Sequence, residues 1–276
     1  MTALPQIPYY HIDRVINSGG TAVVYWGIDL RSGLPVAIKA IYPSRAGDQF
    51  ILQRFREEAN HYLYLSSHPN ITKLVDFVEY KGQFYLVMEY IEGMSLDEYQ
   101  YKRTGPLVEE VAIPMFLQIL DTIGYLHDNN LLHLDIKPGN IMVMHDCRIK
   151  ILDMGISAKI NDKSNNLKTC GTPAFMPPEQ FEHGDLGTYT DIFALGVTLF
   201  SMLTNRLPFS GSHHIEIWQK IKESKIPSAR DFYPPLNPAF QPILEKAMHK
   251  NYWNRYQRCD ELATELKQLT INNDRE

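Results

Sequence analysis

The stretch His133-Leu134-Asp135-Ile136-Lys137-Pro138-Gly139-Asn140 packs a carboxylate, an ammonium and a carboxamide into the six positions from Asp135 to Asn140. Pro138 and Gly139 both resist helix, so the segment reads as a loop. A plain polar turn would not need the apolar Leu131, Leu132, Leu134 and Ile136 around it. The pattern is that of a polar loop set against a core. There the Asp135 carboxylate can accept or orient the proton of an incoming hydroxyl. The Lys137 ammonium can steady a phosphoryl group, and the Asn140 amide oxygen can bind a hard cation such as Mg²⁺.

Downstream, the strand-like Ile149-Lys150-Ile151-Leu152 leads into Asp153-Met154-Gly155. An aspartate after a strand is commonly a turn residue. Here a hairpin made of 141–144 and 148–152 separates it from Asn140, so both can face one metal. Upstream, Asn17-Ser18-Gly19-Gly20-Thr21-Ala22-Val23-Val24-Tyr25 lies between two strand-like segments. Glycines there let backbone N–H groups approach phosphates, because no Cβ blocks the way. A simple hairpin turn explains the same residues equally well. Val36-Ala37-Ile38-Lys39 puts an ammonium near the end of an apolar strand. Such a lysine is usually a snorkelling surface group; turned inward it needs an anionic partner, which Glu58 can supply.

Segments 11–18, 22–29, 34–41, 72–79 and 83–89 are short and rich in Val, Ile, Tyr and Phe, with Gly-containing turns between several of them. One helix interrupts them over about 49–66, with Phe55, Ala59, Tyr62 and Leu63 on its apolar face. From Leu96 onward helical spacing dominates, at 107–129, 190–203, 213–224, 239–249 and 259–270. The plan is α+β: a small N-terminal antiparallel sheet with one helix, then a larger, mainly helical body. The boundary is expected near Tyr90 to Gly93.

The 276 residues are 44% hydrophobic and 21% charged, ordinary for a globular chain, and the net charge of −5 argues against a nucleic-acid partner. Cys147, Cys170 and Cys259 form no CxxC pair, which fits reduced thiols and a cytoplasmic location. No signal peptide is read in Met1 to His11. The longest apolar run, Ile192 to Leu203, is too short for a bilayer and reads as a buried helix. Nothing in the residues speaks to oligomeric state.

Taken together, these motifs resemble the eukaryotic-type (Hanks-type) protein kinase family, and its bacterial serine/threonine branch most of all. The resemblance runs from about His11 to Leu269. It implies a bilobal catalytic domain over 11–270, with an N-lobe of 11–90 and a C-lobe of 94–270. It also implies γ-phosphoryl transfer from ATP with Mg²⁺, or alternatively Mn²⁺, to Ser/Thr hydroxyls of protein substrates.

By the same resemblance Asn17, Ser18, Gly19, Gly20, Thr21 and Ala22 form the phosphate-covering loop, with Asn17 and Ala22 standing for the family's first and third glycines. Lys39 contacts the α/β-phosphates and Glu58 is its helix partner. Met88 is the gatekeeper, and Glu89 to Ile91 form the hinge. Val24, Ala37 and Met142 flank the adenine. Asp135 is the catalytic base, Lys137 steadies phosphate, and Asn140 and Asp153 hold the metal. Gly171-Thr172-Pro173 through Glu179 is similar to the end of an activation segment, with Glu179 paired to Arg255 and Asp191 opening the large buried helix. Lys137 with Thr172 matches the serine/threonine pattern better than the tyrosine one.

Three positions depart from the family. Leu134 replaces the arginine that usually precedes the catalytic aspartate, the mark of a "non-RD" kinase whose activity does not require phosphorylation at Ser164 or Thr169. Met154 stands in place of phenylalanine, and Pro177 in place of alanine. A pseudokinase and a small-molecule kinase are the competing readings. The presence of Lys39, Asp135, Asn140 and Asp153 argues against the first, and the complete activation segment argues against the second.

Overall fold

Alternation in the first ninety residues becomes five antiparallel strands: β1 (Tyr10–Ser18), β2 (Ala22–Asp29), β3 (Pro35–Ile41), β4 (Leu74–Tyr80) and β5 (Gln83–Glu89), in the order β1-β2-β3-β5-β4. The computed structural model describes residues 4–155, 157–160 and 171–273. The chain divides into two units, Met1–Glu92 and Gly93–Glu276. In the first, Val36, Ile38 and Ala40 of β3 pack with Tyr10, Ile12, Val23, Tyr85 and Val87. Ala37 and Lys39 therefore lie on the opposite face of the sheet. Lys81 and Gly82 close the β4–β5 hairpin with φ of 52° and 72°. Two positive φ values make this a primed turn, whose second position glycine adopts without steric cost.

Helix α1 (Gln49–Leu65) begins where Asp48 Oδ1 accepts the N–H groups of Phe50 and Ile51. Its buried face is Leu52, Phe55, Glu58, Ala59, Tyr62 and Leu65. Leu63, expected on that face, is exposed instead. The reason is angular: from Phe55, Ala59 and Tyr62 the stripe continues to Leu65, and position 63 has rotated toward solvent. Glu58 occupies the stripe as a buried carboxylate.

The second unit contains β6 (Gly93–Ser95), α2 (Leu96–Tyr99), α3 (Glu109–Asp128), β7 (Leu131–Leu132), β8 (Ile141–Met144), β9 (Ile149–Ile151), β10 (Ala158–Lys159), α4 (Pro178–Phe181), α5 (Thr188–Thr204), α6 (His214–Glu223), α7 (Phe240–Ala247) and α8 (Cys259–Asn273). Small sheets β6-β8-β9 and β10-β7 hold the loops between the helices. Strands β6, β7 and β10, of two or three residues, are too short for periodicity to reveal. Helix α5 is buried around its whole circumference, as its near-continuous apolar sequence requires. No helix among the described residues is long and apolar enough to cross a membrane.

A buried ion pair ties the segment before α5 to the one after α7. Arg255 Nη1 and Nη2 donate to Glu179 Oε1 and Oε2 at 2.6 and 2.9 Å. Its other N–H groups donate to the carbonyls of Tyr189, Lys250 and His249. All five guanidinium donors are thus used, which is what makes burial of this cation tolerable. Arg255→Ala strands Glu179 as an unpaired buried charge and is expected to lower stability by about 3–5 kcal/mol. Chemical denaturation measures this, and a loss below about 1 kcal/mol would show that the pair is dispensable.

Candidate active site

In the first unit the register builds one polar spot on an apolar face. Val24 pairs with Lys39 and Lys39 with Leu86, while Ala37 lies opposite Trp26 and Met88. Val24, Ala37, Lys39 and Met88 therefore share a face, and α1 delivers Glu58 to it. Lys39 Nζ donates to both Glu58 oxygens at 2.7 and 2.8 Å, with the carboxylate side chain only 2% exposed. The lysine is an inward, paired cation.

The β1–β2 turn carries Ser18, Gly19, Gly20 and Thr21. Ser18 N–H donates to Asn17 Oδ1, and Gly19 N–H to Ala22 O, each at 2.8 Å. A Cβ on Gly19 would meet only Ala22 O at 3.8 Å, and one on Gly20 nothing within 4 Å. Neither glycine has positive φ. The hairpin therefore needs no glycine at either position for its own closure. In the segment read as a hinge, Glu89 N–H donates to Lys73 O, Lys73 N–H donates back to Glu89 Oε1, and Ile91 is buried.

In the second unit the loop 133–140 is suspended from Asp191, near the start of α5. Asp191 Oδ2 accepts His133 N–H at 2.8 Å and His127 Nε2–H at 2.9 Å, and Oδ1 accepts Leu134 N–H at 2.8 Å. Leu134 takes the left-handed conformation, φ 65°, and is buried with Leu132 and Ala158 against Ile160 and Leu186. His133 Nδ1 accepts Asp135 N–H at 3.3 Å, which puts the ring proton on Nε2, facing Leu152 O.

Asp135 is thereby presented with each oxygen engaged. Oδ1 accepts the Thr172 N–H at 3.1 Å and the Thr172 hydroxyl at 2.9 Å. Oδ2 accepts Lys137 Nζ at 2.6 Å and Asn140 Nδ2 at 2.9 Å. Lys137 also donates to Thr172 Oγ1 at 2.6 Å. Asn140 gives its second amide hydrogen to Asp135 O at 2.8 Å, so its own Oδ1 faces away from Asp135. Asn140 O accepts Leu152 N–H, which sets the start of the Asp153 segment beside Asn140. Asp153 has φ 58°, and its Oδ1 accepts Gly155 N–H at 3.0 Å. Met154 is buried, and Met142 of β8 is half-buried opposite Ser95 and Lys150.

The sequence profile described as "Protein kinase domain" matches residues 10–268. This chain belongs to the protein kinase domain family. Among the kinases it resembles, "Serine/threonine-protein kinase PrkC" of Bacillus subtilis is 36% identical over 94% of this chain and 40% of its own length. "Probable serine/threonine-protein kinase PknB" of Lactococcus lactis is 33% identical over 95% and 42%. "Serine/threonine-protein kinase PknB" of Mycobacterium tuberculosis is 31% identical over 93% and 42%. The kinase chain spans about two fifths of the length of these curated relatives. They place it in the bacterial-like branch of Hanks-type kinases, and the α+β fold is that of the family.

The expected site residues of the kinase domain fall into two constellations, one in each unit: Lys39, Glu58, Val24, Ala37 and Met88, and Asp135, Lys137, Asn140, Asp153 and Met142. Two contacts were not read from sequence. His127 carries no local motif, and the Asp135–Thr172 contact joins residues 37 apart. Ser164 and Thr169 lie outside the described residues.

Burial pushes the Asp191 carboxyl upward, but hydrogen bonds from His127 and the His133 N–H outweigh it and hold its pKa below the usual 3.8. A depressed carboxylate contributes stability that is present above the unfolded value and disappears as pH falls through the folded one. Stability of the wild type is therefore expected to fall steeply below about pH 4, and that of Asp191→Asn more gently from a lower plateau. Urea titrations at stepped pH compare the two, and parallel acid limbs would rule this out.

Proposed function

We propose that this chain is the catalytic domain, residues 11–270, of an ATP-dependent serine/threonine protein kinase, with lobes 11–90 and 94–270. The observation that carries the reading is the bonding of Asp135: a carboxylate held by Thr172 on one oxygen and by Lys137 and Asn140 on the other. It is oriented before any substrate arrives, the preorganisation that phosphoryl transfer demands.

In this mechanism Asp135 accepts the acceptor hydroxyl's proton as its oxygen bonds to the γ-phosphorus and the bond to ADP breaks. Lys137 offsets charge on the moving phosphoryl group. Lys39, steadied by Glu58, aligns the α/β-phosphates under the N–H groups of residues 17–22. Val24, Ala37, Met88 and Met142 give the adenine apolar surfaces, and the backbone of Glu89 to Ile91 gives it hydrogen bonds. Asn140 and Asp153 would hold Mg²⁺, or Mn²⁺ in its place. One carboxylate and one outward amide oxygen suit a cation that completes its shell with water and phosphate oxygens. Such a cation supplies neutralising charge to the triphosphate. Among the described residues no cluster of three His, Cys, Asp or Glu competes for a metal. The need for ATP and the free thiols of Cys147 and Cys259 support a cytoplasmic setting for this domain.

Transfer of label from γ-labelled ATP to a generic Ser/Thr protein substrate tests the reading. The wild type is expected to transfer, and Asp135→Asn and Lys39→Met to lose about 10²–10³ in rate. A wild type that binds ATP without transfer would be a pseudokinase, and label confined to small molecules would mean a small-molecule kinase.

Leu134 adds a regulatory reading. Its side chain fills an apolar cluster with Leu132, Ala158, Ile160 and Leu186, at the position where the family has an arginine able to bind a phosphorylated residue. We propose that this packing fixes the loop without phosphate, as in a non-RD kinase. The Ser164→Ala, Thr169→Ala double variant is expected to keep most of the wild-type rate, and a fall of about tenfold or more would sink the idea.

A further inference from the structure

Strand β1 carries two bulges, and they re-aim the residues between them. Ile12 pairs with Gly27 and Arg14 with Trp26, which leaves Asp13 as an extra residue; Val15 pairs with Tyr25 and Asn17 with Val24, which leaves Ile16 as another. The first bulge follows a point where β1 presses against Gly27 of β2, whose Cβ would lie 2.5 Å from His11 O. Its effect is to set Arg14 opposite Trp26. The Arg14 guanidinium covers the indole, 4.5 Å from the ring centroid, and donates to Asp13 Oδ2 at 2.8 Å.

Trp26 belongs to the face proposed for the adenine. Val23 lies in the core cluster on one side of the sheet, with Tyr25 packed against it. Val24 and Trp26 therefore project from the other side, and Trp26 is registered directly against Ala37. There the indole meets Tyr90, two residues past Met88. The ring centroids are 6.4 Å apart and the planes cross at 88°, the edge-to-face arrangement that aromatic pairs favour. Arg14, Trp26 and Tyr90 all lie within the first unit.

The residues on either side of Tyr90 are fixed by other means. Glu89 N–H donates to Lys73 O at 3.0 Å, its carboxylate accepts Lys73 N–H at 2.9 Å, and Ile91 is buried. Tyr90, the middle residue of the segment read as the hinge, is half-buried, and its ring rests against Trp26. With Arg14 over one face and Tyr90 at right angles, the indole is already engaged within the chain. Its geometry suits holding Tyr90 better than stacking on a base.

We infer that Trp26 is a positioning residue for the nucleotide: through the Tyr90 ring it fixes the hinge backbone that bonds the adenine. The inference rests on the kinase reading above and adds to it a residue that sets nucleotide affinity without touching the reacting atoms.

The test measures the Kd of Mg-ADP by calorimetry for the wild-type chain and for Trp26→Phe, Trp26→Leu, Tyr90→Leu and the Trp26→Leu, Tyr90→Leu double variant. Both replacements at Trp26 are apolar, so the comparison isolates the aromatic contact. Trp26→Leu is expected to weaken binding about 3- to 10-fold, and Trp26→Phe to stay within about twofold of wild type. The double variant should bind within about twofold of Tyr90→Leu alone, because the indole then has no ring to hold. In label transfer, Trp26→Leu should raise the KM for ATP and leave kcat and the KM for a generic peptide unchanged. Unaltered ADP binding in Trp26→Leu overturns the inference. So does a loss of the same size in the Tyr90→Leu background, because Trp26 then acts without Tyr90, and so does a fall in kcat with Kd unchanged. A wild type that binds no ADP overturns the kinase reading itself, and this inference with it.

Discussion

Asp191 is a fully buried carboxylate, and the loop that carries Asp135 hangs from it. Removing a carboxylate from water is costly unless its lone pairs are answered. Here two consecutive backbone N–H groups and the His127 ring answer them. The same bonds hold Leu134 in a left-handed conformation that costs a non-glycine residue on the order of 1–3 kcal/mol. That turn aims the next residue, Asp135, at Thr172, Lys137 and Asn140. Helix α5 can hold such an anchor because it is buried around its whole circumference. The charge enters a rigid, dry setting, where its hydrogen bonds are strong and its position is fixed.

The two constellations follow one rule: a charge is admitted to the interior only together with its partner. Glu58 breaks the apolar stripe of α1, and Lys39 breaks the apolar run of β3; each explains the other. Arg255 and Glu179 do the same within the helical unit, with backbone carbonyls completing the guanidinium. Local rules of patterning fail where a pairing elsewhere compensates, and such failures concentrate at functional sites. Leu134 shows the reverse substitution. A position that carries charge in the family is given to packing, so the joint between loop 133–140 and β10 is apolar.

Legibility in the sequence tracked length and continuity. Strands of seven to nine residues and helices of ten to twenty were read with boundaries off by a few residues at most, because each repeats its pattern several times. Strands β6, β7 and β10 complete less than two periods and left no trace. Leu63 is apolar yet exposed, because the 100° step from Tyr62 carries it out of the buried stripe of α1. For the candidate site, residues grouped within one loop, Asp135 to Asn140, could be read together. Contacts that join distant segments, such as Asp135 with Thr172 or Asp191 with His127, could not.

The amino-acid order alone determined which groups were available: a loop with carboxylate, ammonium and amide in six positions, a strand-end lysine, a helix carboxylate, and the hydrophobic periods that make an α+β chain. These are local properties, written in neighbouring residues. Tertiary structure decided which of those groups meet and which way they point. It turned Lys39 toward Glu58 by placing it on the α1 side of the sheet, and it brought Thr172 to Asp135 and His127 to Asp191. Orientation and pairing depend on burial, and burial is a property of the packed chain, which no stretch of residues possesses by itself.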